Sequence, residues 1–362
     1  MFISKPAQNI PDQKLTALRV SWLRIPLARP YLLSFGPVTA FDVFVTEGTF
    51  EDGSVAYGEA TPLPGYSEET PASVWRDLRE HALAPERAHP FARAALVGPV
   101  EWARLRARAG GAVEVPLIGT VMEHESGRVQ NDVQSLLDIG YRTLKLKVGL
   151  TALEHDLAHV TDVQGVVRDW LRARQGSGDR VNLRIDANQG YDVPVARRFL
   201  KEIDPEFIEL FEQPFPVEHW QWYDEIGPSP ISLMLDESIV DEADVERAST
   251  LQDVRFVKFK LMKAGGFDAL ELLVAKARSC GLDVILGNGV AADVGCATEA
   301  LAAAALGITF AGEMNGFLKT RHRLSADSLA VQAGVLRCAN HMRIDLDNVD
   351  AEHVDSALLL RL

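Results

Sequence analysis

Three scarcities bound what this chain can be. Cysteine occurs only three times in 362 residues, as Cys280, Cys296 and Cys338, widely spaced and in no Cys-x-x-Cys pair. A disulfide framework and a thiolate zinc site are thereby excluded. Basic residues are outnumbered, 37 Lys plus Arg against 51 Asp plus Glu, for a formal net charge of -14, and they form no basic run. A sequence-independent grip on phosphate needs clustered Lys and Arg, so nucleic acid and anionic membrane surfaces are not expected partners. Long apolar runs are also missing: the longest near-apolar stretch, 300–311, is shorter than the roughly 18 residues of a membrane span. The opening MFISKPAQNIPDQK has no apolar signal core, which makes a soluble, cytoplasmic protein the expectation. On charge alone, an acidic small-molecule ligand is disfavoured as well.

What is present is enough apolar residue, 47% of the chain, to fill a large core or two smaller ones. Strand-like runs at 18–25, 41–49 and, after a turn at Glu51-Asp52-Gly53, 54–58 predict an antiparallel sheet, and 71–109 reads as helical. A small α+β domain over 1–112 is the economical reading. Beyond it, strand-like runs at 115–121, 143–148, 181–186, 207–212, 231–236, 255–261, 284–287 and 308–313 alternate with amphipathic stretches. That alternation over 113–325 predicts an α/β fold with a parallel, TIM-like βα barrel. The alternative is an open doubly wound sheet, but no G-x-G-x-x-G follows a strand.

The strand ends carry charge at a near-constant spacing. Asp186 to Glu212 is 26 residues, and Glu212 to Asp236 and Asp236 to Lys260 are 24 each, about one βα unit per step. Charges recurring once per unit at carboxyl ends of strands share the rim where barrel enzymes keep their active sites. Residues two apart on a strand share a face. Lys145 and Lys147 therefore oppose Leu144, Leu146 and Val148, and Asn182, Arg184 and Asp186 oppose Val181, Leu183 and Ile185. Ser232, Met234 and Asp236 oppose Ile231, Leu233 and Leu235, and Lys258 and Lys260 oppose Val257, Phe259 and Leu261. The apolar faces are expected to meet the helices and the polar faces to line the barrel. Glu209 breaks this pattern by sharing a face with Phe207 and Phe211.

A lone Asp at a strand end is commonly a helix cap, and a Lys-x-Lys pair commonly an exposed face. In a barrel covered on both faces, however, an unpaired buried charge costs several kcal/mol. Three carboxylates and four lysines converging on one interior need a joint explanation, and a metal cluster flanked by lysines supplies it. Hard oxygen donors from Asp186, Glu212 and Asp236 suit Mg²⁺, with Mn²⁺ as an alternative. Lys147 and Lys260 flank them from opposite sides, able to move a proton on either face of a bound substrate. Neighbouring cations, Mg²⁺ with Lys145 and Lys258, favour the neutral amine that a basic lysine needs. The ion would also stabilise an enediolate formed when a proton leaves the carbon beside a carboxylate. Four lysines and a divalent ion against three carboxylates leave the interior cationic. The hint against acidic ligands is thereby reversed, and a small-molecule carboxylate becomes the expected substrate.

The segments TLKLKVG (143–149), RIDANQGY (184–191), FIELFEQPF (207–215), LMLDES (233–238) and KFKLMKAGG (258–266) resemble the muconate-lactonizing branch of the enolase superfamily. FEDGSVAYGEATPLPGYSEET (50–70) is similar to that family's N-terminal capping domain, so the likeness spans nearly the whole chain. The resemblance implies a (β/α)7β barrel under an α+β capping domain, with 326–362 returning to that domain. It implies metal ligation by Asp186, Glu212 and Asp236, Lys147 as base on one face and Lys260 as acid or base on the other. Lys145 and Lys258 would support these lysines or the substrate carboxylate, and Asn188 and Glu237 would support the ligands. A lysine base working with Mg²⁺ is a known pattern of this superfamily. The mandelate-racemase branch is disfavoured, because the seventh strand ends in Gly287-Asn288 without a histidine.

Departures from the family pattern bear on substrate. Ala291 stands where Gly-x-Met-x-Glu would place a glutamate, and Asp293 is out of register, which argues against a free-amine substrate. Capping loops at 27–36, with Arg29, Tyr31 and Phe35, and at 62–67, with Tyr66, together with Asn288 and the run Glu313-Met-Asn-Gly-Phe-Leu, are candidate substrate-lining segments. His322 and His341 read as packing or surface residues. The expected activity is racemisation or epimerisation of an N-acyl amino acid, a dipeptide or a related acid, by a homo-oligomer. A muconate-type cycloisomerase or an o-succinylbenzoate synthase-type dehydratase is the alternative within the family. A Schiff-base lysine enzyme and a non-catalytic ligand-binding relative are the alternatives outside this chemistry.

Overall fold

In the computed structural model, which describes residues 14–33, 36–65, 67–176, 178–325, 327–339, 341–347 and 351–361, the N-terminal run becomes two long strands and a short one. These are β1 (Leu15–Leu33), β2 (Gly36–Phe50) and β3 (Val55–Ala60), paired antiparallel in that order. Leu23, Ile25, Phe41, Val43 and Val45 share one face of this sheet and are buried. Two helices follow, α1 (Pro71–Glu80), started by a Thr70–Ser73 capping box, and α2 (Pro90–Ala109). At the α2–β3 crossing Gly98 meets Gly58 backbone to backbone, with no room for a Cβ on either.

The run 115–121 is not one strand but two. β4 (Val113–Pro116) leaves the barrel for a small antiparallel sheet, while β5 (Ile118–Thr120) begins the barrel. The barrel then proceeds as α3 (Ser126–Ile139), β6 (Thr143–Lys147), α4 (Leu153–Ala173), β7 (Asn182–Asp186), α5 (Val193–Glu202) and β8 (Ile208–Glu212). Next come α6 (Trp222–Glu225), β9 (Leu233–Leu235), α7 (Glu242–Ser249), β10 (Val254–Phe259), α8 (Leu261–Ala264), α9 (Phe267–Ser279), β11 (Asp283–Leu286) and α10 (Asp293–Ala305). β5 through β11 form one parallel sheet of seven strands in sequence order.

The eighth expected strand, 308–313, does not form as a strand. Its place is held by Gly312, whose N–H donates to Pro116 O at 2.8 Å and whose carbonyl accepts from Ile118 N at 3.0 Å, and by Glu313 N, which donates to Leu286 O at 3.1 Å. Two residues thus join both edges of the sheet and leave none exposed. Gly287, at φ 147°, allows the approach, since a Cβ there would overlap the backbone of Glu313.

Leu144, Leu146, Leu183, Ile185, Leu233 and Leu235 are buried, and the opposite faces line the barrel. Met234 does not join the charged set expected on its face: with Leu210, Phe256, Ile285 and Phe310 it makes an apolar plug inside the barrel. Glu209 is explained by a bulge. Pairing of β7 with β8 jumps from Leu183↔Ile208 to Arg184↔Leu210, so Glu209 is the extra residue. It meets Arg184 Nε at 2.5 Å, and Arg184 also reaches Ala311 O at 2.6 Å.

After residue 325 the chain serves both sheets. β12 (Leu329–Gln332) pairs with β13 (Val335–Cys338), which pairs with β4, whereas β14 (Glu352–Arg361) adds antiparallel to β1. Three captures of helix ends join the N-terminal elements to the barrel. Glu59 accepts from Ala292 N and Gly295 N at the start of α10, and Glu101 accepts from Phe267 N and Asp268 N at the start of α9. Arg93 donates to Ala264 O and Gly265 O at the end of α8. Each supplies charge of the favourable sign to otherwise unsatisfied backbone groups. Among the described residues no helix is long and apolar enough to cross a membrane.

On α4, His159 is 5% exposed and neither ring nitrogen has a partner, while its ring lies 4.8 Å from that of His124. Burial, reinforced by His124, lowers its pKa to about 4. The native state therefore refuses a proton that the unfolded chain accepts below its ordinary value near 6.5. Its contribution is intact above pH 6.5 and is lost as pH falls toward 4, on the order of 3 kcal/mol. In urea denaturation from pH 7.5 to 4.5, His159→Leu is expected to lose less stability than the parent; equal losses would contradict this reading.

Candidate active site

Sheet order alone sets the site's plan. β7, β8 and β9 lie side by side, with β6 on one flank and β10 on the other. Asp186 and Glu212 end β7 and β8 as direct cross-strand partners, and Asp236 follows β9. All three carboxylates are buried. From β6, Lys145 Nζ lies 2.8 Å from Asp186 Oδ2 and 2.9 Å from Glu212 Oε2. Lys147 Nζ donates to Asp186 Oδ2 at 2.7 Å and to Asn188 Oδ1. From the other flank, Lys258 Nζ lies 3.0 Å from Glu212 Oε1 and 3.3 Å from Asp236 Oδ2, and Lys260 Nζ meets Asp236 Oδ1 at 2.5 Å. The lysines therefore grip a row of carboxylates from both ends. Lys147 is 25% exposed at its side chain, against 3% or less for the other three, so it is the one open to the barrel mouth.

Neighbouring loops hold these groups in place. The turns after β6 and β7 cross where Gly149 touches Gly190, too closely for a Cβ. Asn188 sits at φ 40°, its N–H donating to Asp186 Oδ1 at 2.8 Å and its Nδ2 to Glu237 Oε1 at 3.2 Å. Buried Gln213 accepts from Asp236 N at 3.0 Å and Ser238 N at 3.3 Å, and donates to Ser238 Oγ and Phe215 O. Its amide fixes the direction in which Asp236 enters the barrel.

Glu313, expected only to begin a lining segment, belongs to the charged row itself. Its carboxylate accepts from Lys145 at 3.2 and 3.4 Å and from Lys258, bridging the two flanks across the barrel. It stands 53 residues beyond Lys260, about two βα steps, so the spacing reaches it; the charge series breaks off before it because the seventh strand ends in the uncharged Gly287-Asn288. The expected cationic surplus is smaller by this one charge. Lys263, a further unforeseen cation, lies near Lys260, where burial and Lys260 lower its pKa.

Burial pushes each carboxylate upward, and the lysines decide the outcome. Asp186 is brought to about 2 by Lys145, Lys147 and Lys258 against its burial. Asp236 and Glu313 are held well below the usual carboxylate range, burial again being outweighed, by Lys258 and Lys260 for the former and by Lys145 and Lys258 for the latter. Glu212, between two carboxylates, is raised by burial and by Asp186. Glu237 is raised to about 7 by burial and Asp236, and its Oε2 is buried without a partner. Lys145 stays well above its ordinary value, because Asp186, Glu212 and Glu313 outweigh the burial that lowers it.

The remaining candidates fall elsewhere. Arg29 is exposed, and Tyr31 is half-buried at the barrel mouth. Asn288 is buried, with its Oδ1 accepting from Val290 N. Ala291 is fully buried against Gly295 and Gly316, and Asp293 is held by Arg323 and by Leu324 N, so neither is free to meet a ligand. Phe35 and Tyr66 lie outside the described residues.

As the side chains stand, no three carboxylate, thiolate or imidazole groups among the described residues close on one point as metal ligands. The ammoniums of Lys145 and Lys258 lie between neighbouring carboxylates. The donor chemistry nonetheless fits a hard divalent cation. Three buried carboxylates on adjacent strands, already compensated by positive charge, are oxygen ligands that Mg²⁺ accepts and that zinc does not prefer.

Residues 128–341 match a family described as enolase C-terminal domain-like. The chain is 24% identical over 318 residues to the L-Ala-D/L-Glu epimerase of Bacillus subtilis, covering 79% of this chain and 84% of that protein. It is 23% identical over 340 residues to the N-succinyl-L-Arg/Lys racemase of Bacillus cereus, covering 84% and 88%. A dipeptide epimerase from Enterococcus faecalis, solved with Mg and the dipeptide L-Leu-L-Tyr, shares the fold with a TM-score of 0.78 at 21% identity, over 91% of this chain and 98% of that one.

Breaking one partner out of a buried ion network costs about 3–5 kcal/mol. Glu313→Gln, which keeps shape and removes charge from between Lys145 and Lys258, is expected to lower stability on that order in urea denaturation. A loss below about 0.5 kcal/mol, the scale of an ordinary surface change, would contradict the network.

Proposed function

This chain belongs to the enolase superfamily, in the enolase C-terminal domain-like family, and on that premise we propose that it racemises or epimerises an acid by moving the proton on the carbon beside its carboxylate. The observation that carries this reading is the placement of lysines on both flanks of the carboxylate row, Lys147 against Asp186 and Lys260 against Asp236. Two amines approaching from opposite sides suit removal of a proton from one face and its return to the other. Lys147, the more open of the two, takes the proton in one direction, and Lys260 takes it in the other.

Asp186, Glu212 and Asp236 are the residues that would hold Mg²⁺, with Asn188, Gln213 and Glu237 orienting them. When bound, the ion supplies positive charge to the substrate carboxylate as the adjacent carbon loses its proton. Lys145 and Lys258, buried beneath the row, add fixed positive charge and hold Glu212 and Glu313 in register. The closed barrel and apolar plug keep bulk water from one side of the reacting carbon. N-acyl amino acids and dipeptides, the kinds of compound named for the relatives, are the substrate classes to test first.

Lys147→Ala and Lys260→Ala are each expected to slow interconversion of the two stereoisomers by roughly 10²–10⁴-fold, the usual weight of a positioned acid or base. Proton NMR in D₂O with Mg²⁺ reads both interconversion and exchange at the alpha carbon. Interconversion unchanged in both variants would refute the assignment. Exchange abolished by Lys147→Ala but retained in Lys260→Ala for both stereoisomers would instead favour the one-lysine cycloisomerase or dehydratase chemistry.

A further inference from the structure

Lys319 differs from every lysine of the carboxylate row. Its ammonium donates to the carbonyl oxygen of Gly289 at 2.5 Å and to Asn315 Oδ1 at 3.1 Å, and lies 4.6 Å from the centre of the Tyr31 ring. All three neighbours are neutral, and among the described residues no carboxylate forms an ion pair with it. Lys145, Lys147, Lys258 and Lys260 each meet at least one carboxylate. Glu313, two residues before Asn315, is engaged by Lys145 and Lys258 instead.

The position is built rather than incidental. Lys319 O accepts from Ala28 N at 2.8 Å, and Leu27 bridges to Thr320, so β1 and the segment closing the barrel fix the lysine's backbone together. Gly289 leaves room for its head group, since a Cβ there would lie 2.9 Å from Nζ. Tyr31 from β1, Gly289 from the turn after β11, and Asn315 with Lys319 from the eighth unit converge at the mouth of the barrel. The side chain is half-buried, and two of its three N–H donors have acceptors. Among the described residues the third donor has no acceptor, and the positive charge faces the Tyr31 ring and no carboxylate.

We propose that Lys319 binds a second, distal carboxylate of the substrate, so that the enzyme acts on dicarboxylates such as N-acyl amino acids whose acyl chain ends in a carboxylate. This rests on the proton-transfer reading for the identity of the first carboxylate, but the anion site stands on its own geometry. Among the described residues a free ammonium would find no unengaged acid here, since Asn315 is neutral and Glu313 is held by Lys145 and Lys258.

The test compares N-succinyl-L-amino acids with their uncharged N-succinamoyl counterparts over a set of side chains. Binding is measured by calorimetry with the Mg²⁺-supplemented protein, and alpha-proton exchange is followed in parallel. The parent is expected to prefer the charged member by roughly 10- to 100-fold, the range for one charge-assisted hydrogen bond. Lys319→Gln should abolish that preference while leaving affinity for the uncharged member within about twofold, and Lys319→Arg should retain it. Equal binding of the two members by the parent, or a preference that survives in Lys319→Gln, overturns the proposal. A preference lost in Lys319→Gln without exchange upholds the anion site and rejects the proton-transfer reading. Exchange without any preference does the reverse.

Discussion

Mutual neutralisation of buried charge is the constraint on which this structure depends. Asp186, Glu212 and Asp236 have almost no contact with solvent, and neither do Lys145, Lys258 and Lys260. Each charge left alone there would cost several kcal/mol, more than half the stability of a marginal domain. Together they are tolerable only in register, which the parallel sheet supplies by placing the two lysine strands outside the three carboxylate strands. A barrel interior held this way is poised for a ligand that brings its own charges, and poorly suited to one that brings none.

The same constraint explains why the elements around the row are so closely tied. Glu313 must reach across the barrel, and it does so from a two-residue closure that Gly287 makes possible. Gln213 directs Asp236, and Asn188 links Asp186 to Glu237. The N-terminal sheet is fastened to the barrel through helix ends at Glu59, Glu101 and Arg93, and through the backbone between Ala28 and Lys319. Its strand β1 is thereby carried over the mouth, where Tyr31 meets Lys319.

Much of this was legible in the sequence because βα units repeat. The steps from Asp186 to Lys260 report sheet geometry directly, and alternation within TLKLK and RID sorts inward from outward side chains. What escaped is what breaks the repeat. Glu209 looked anomalous because a bulge shifts the face by one residue, and Met234 looked polar-facing because a plug residue and a ligand can share one strand face. The segment 308–313 carried a strand-like pattern, yet two hydrogen-bonded residues suffice to close the barrel. Lys319 left no periodic trace, since its significance comes from three chain segments meeting at the mouth.

The proposed cation site of Asp186, Glu212 and Asp236 has lysines as its present partners. Calorimetric titration of Mg²⁺ into the parent and into Asp186→Asn, Glu212→Gln and Asp236→Asn tests it most directly, with circular dichroism verifying that each variant is folded. Saturable uptake of one ion per chain by the parent, lost in each folded variant, is the expected result. No saturable uptake by the parent, or uptake that persists unchanged in the variants, would contradict it.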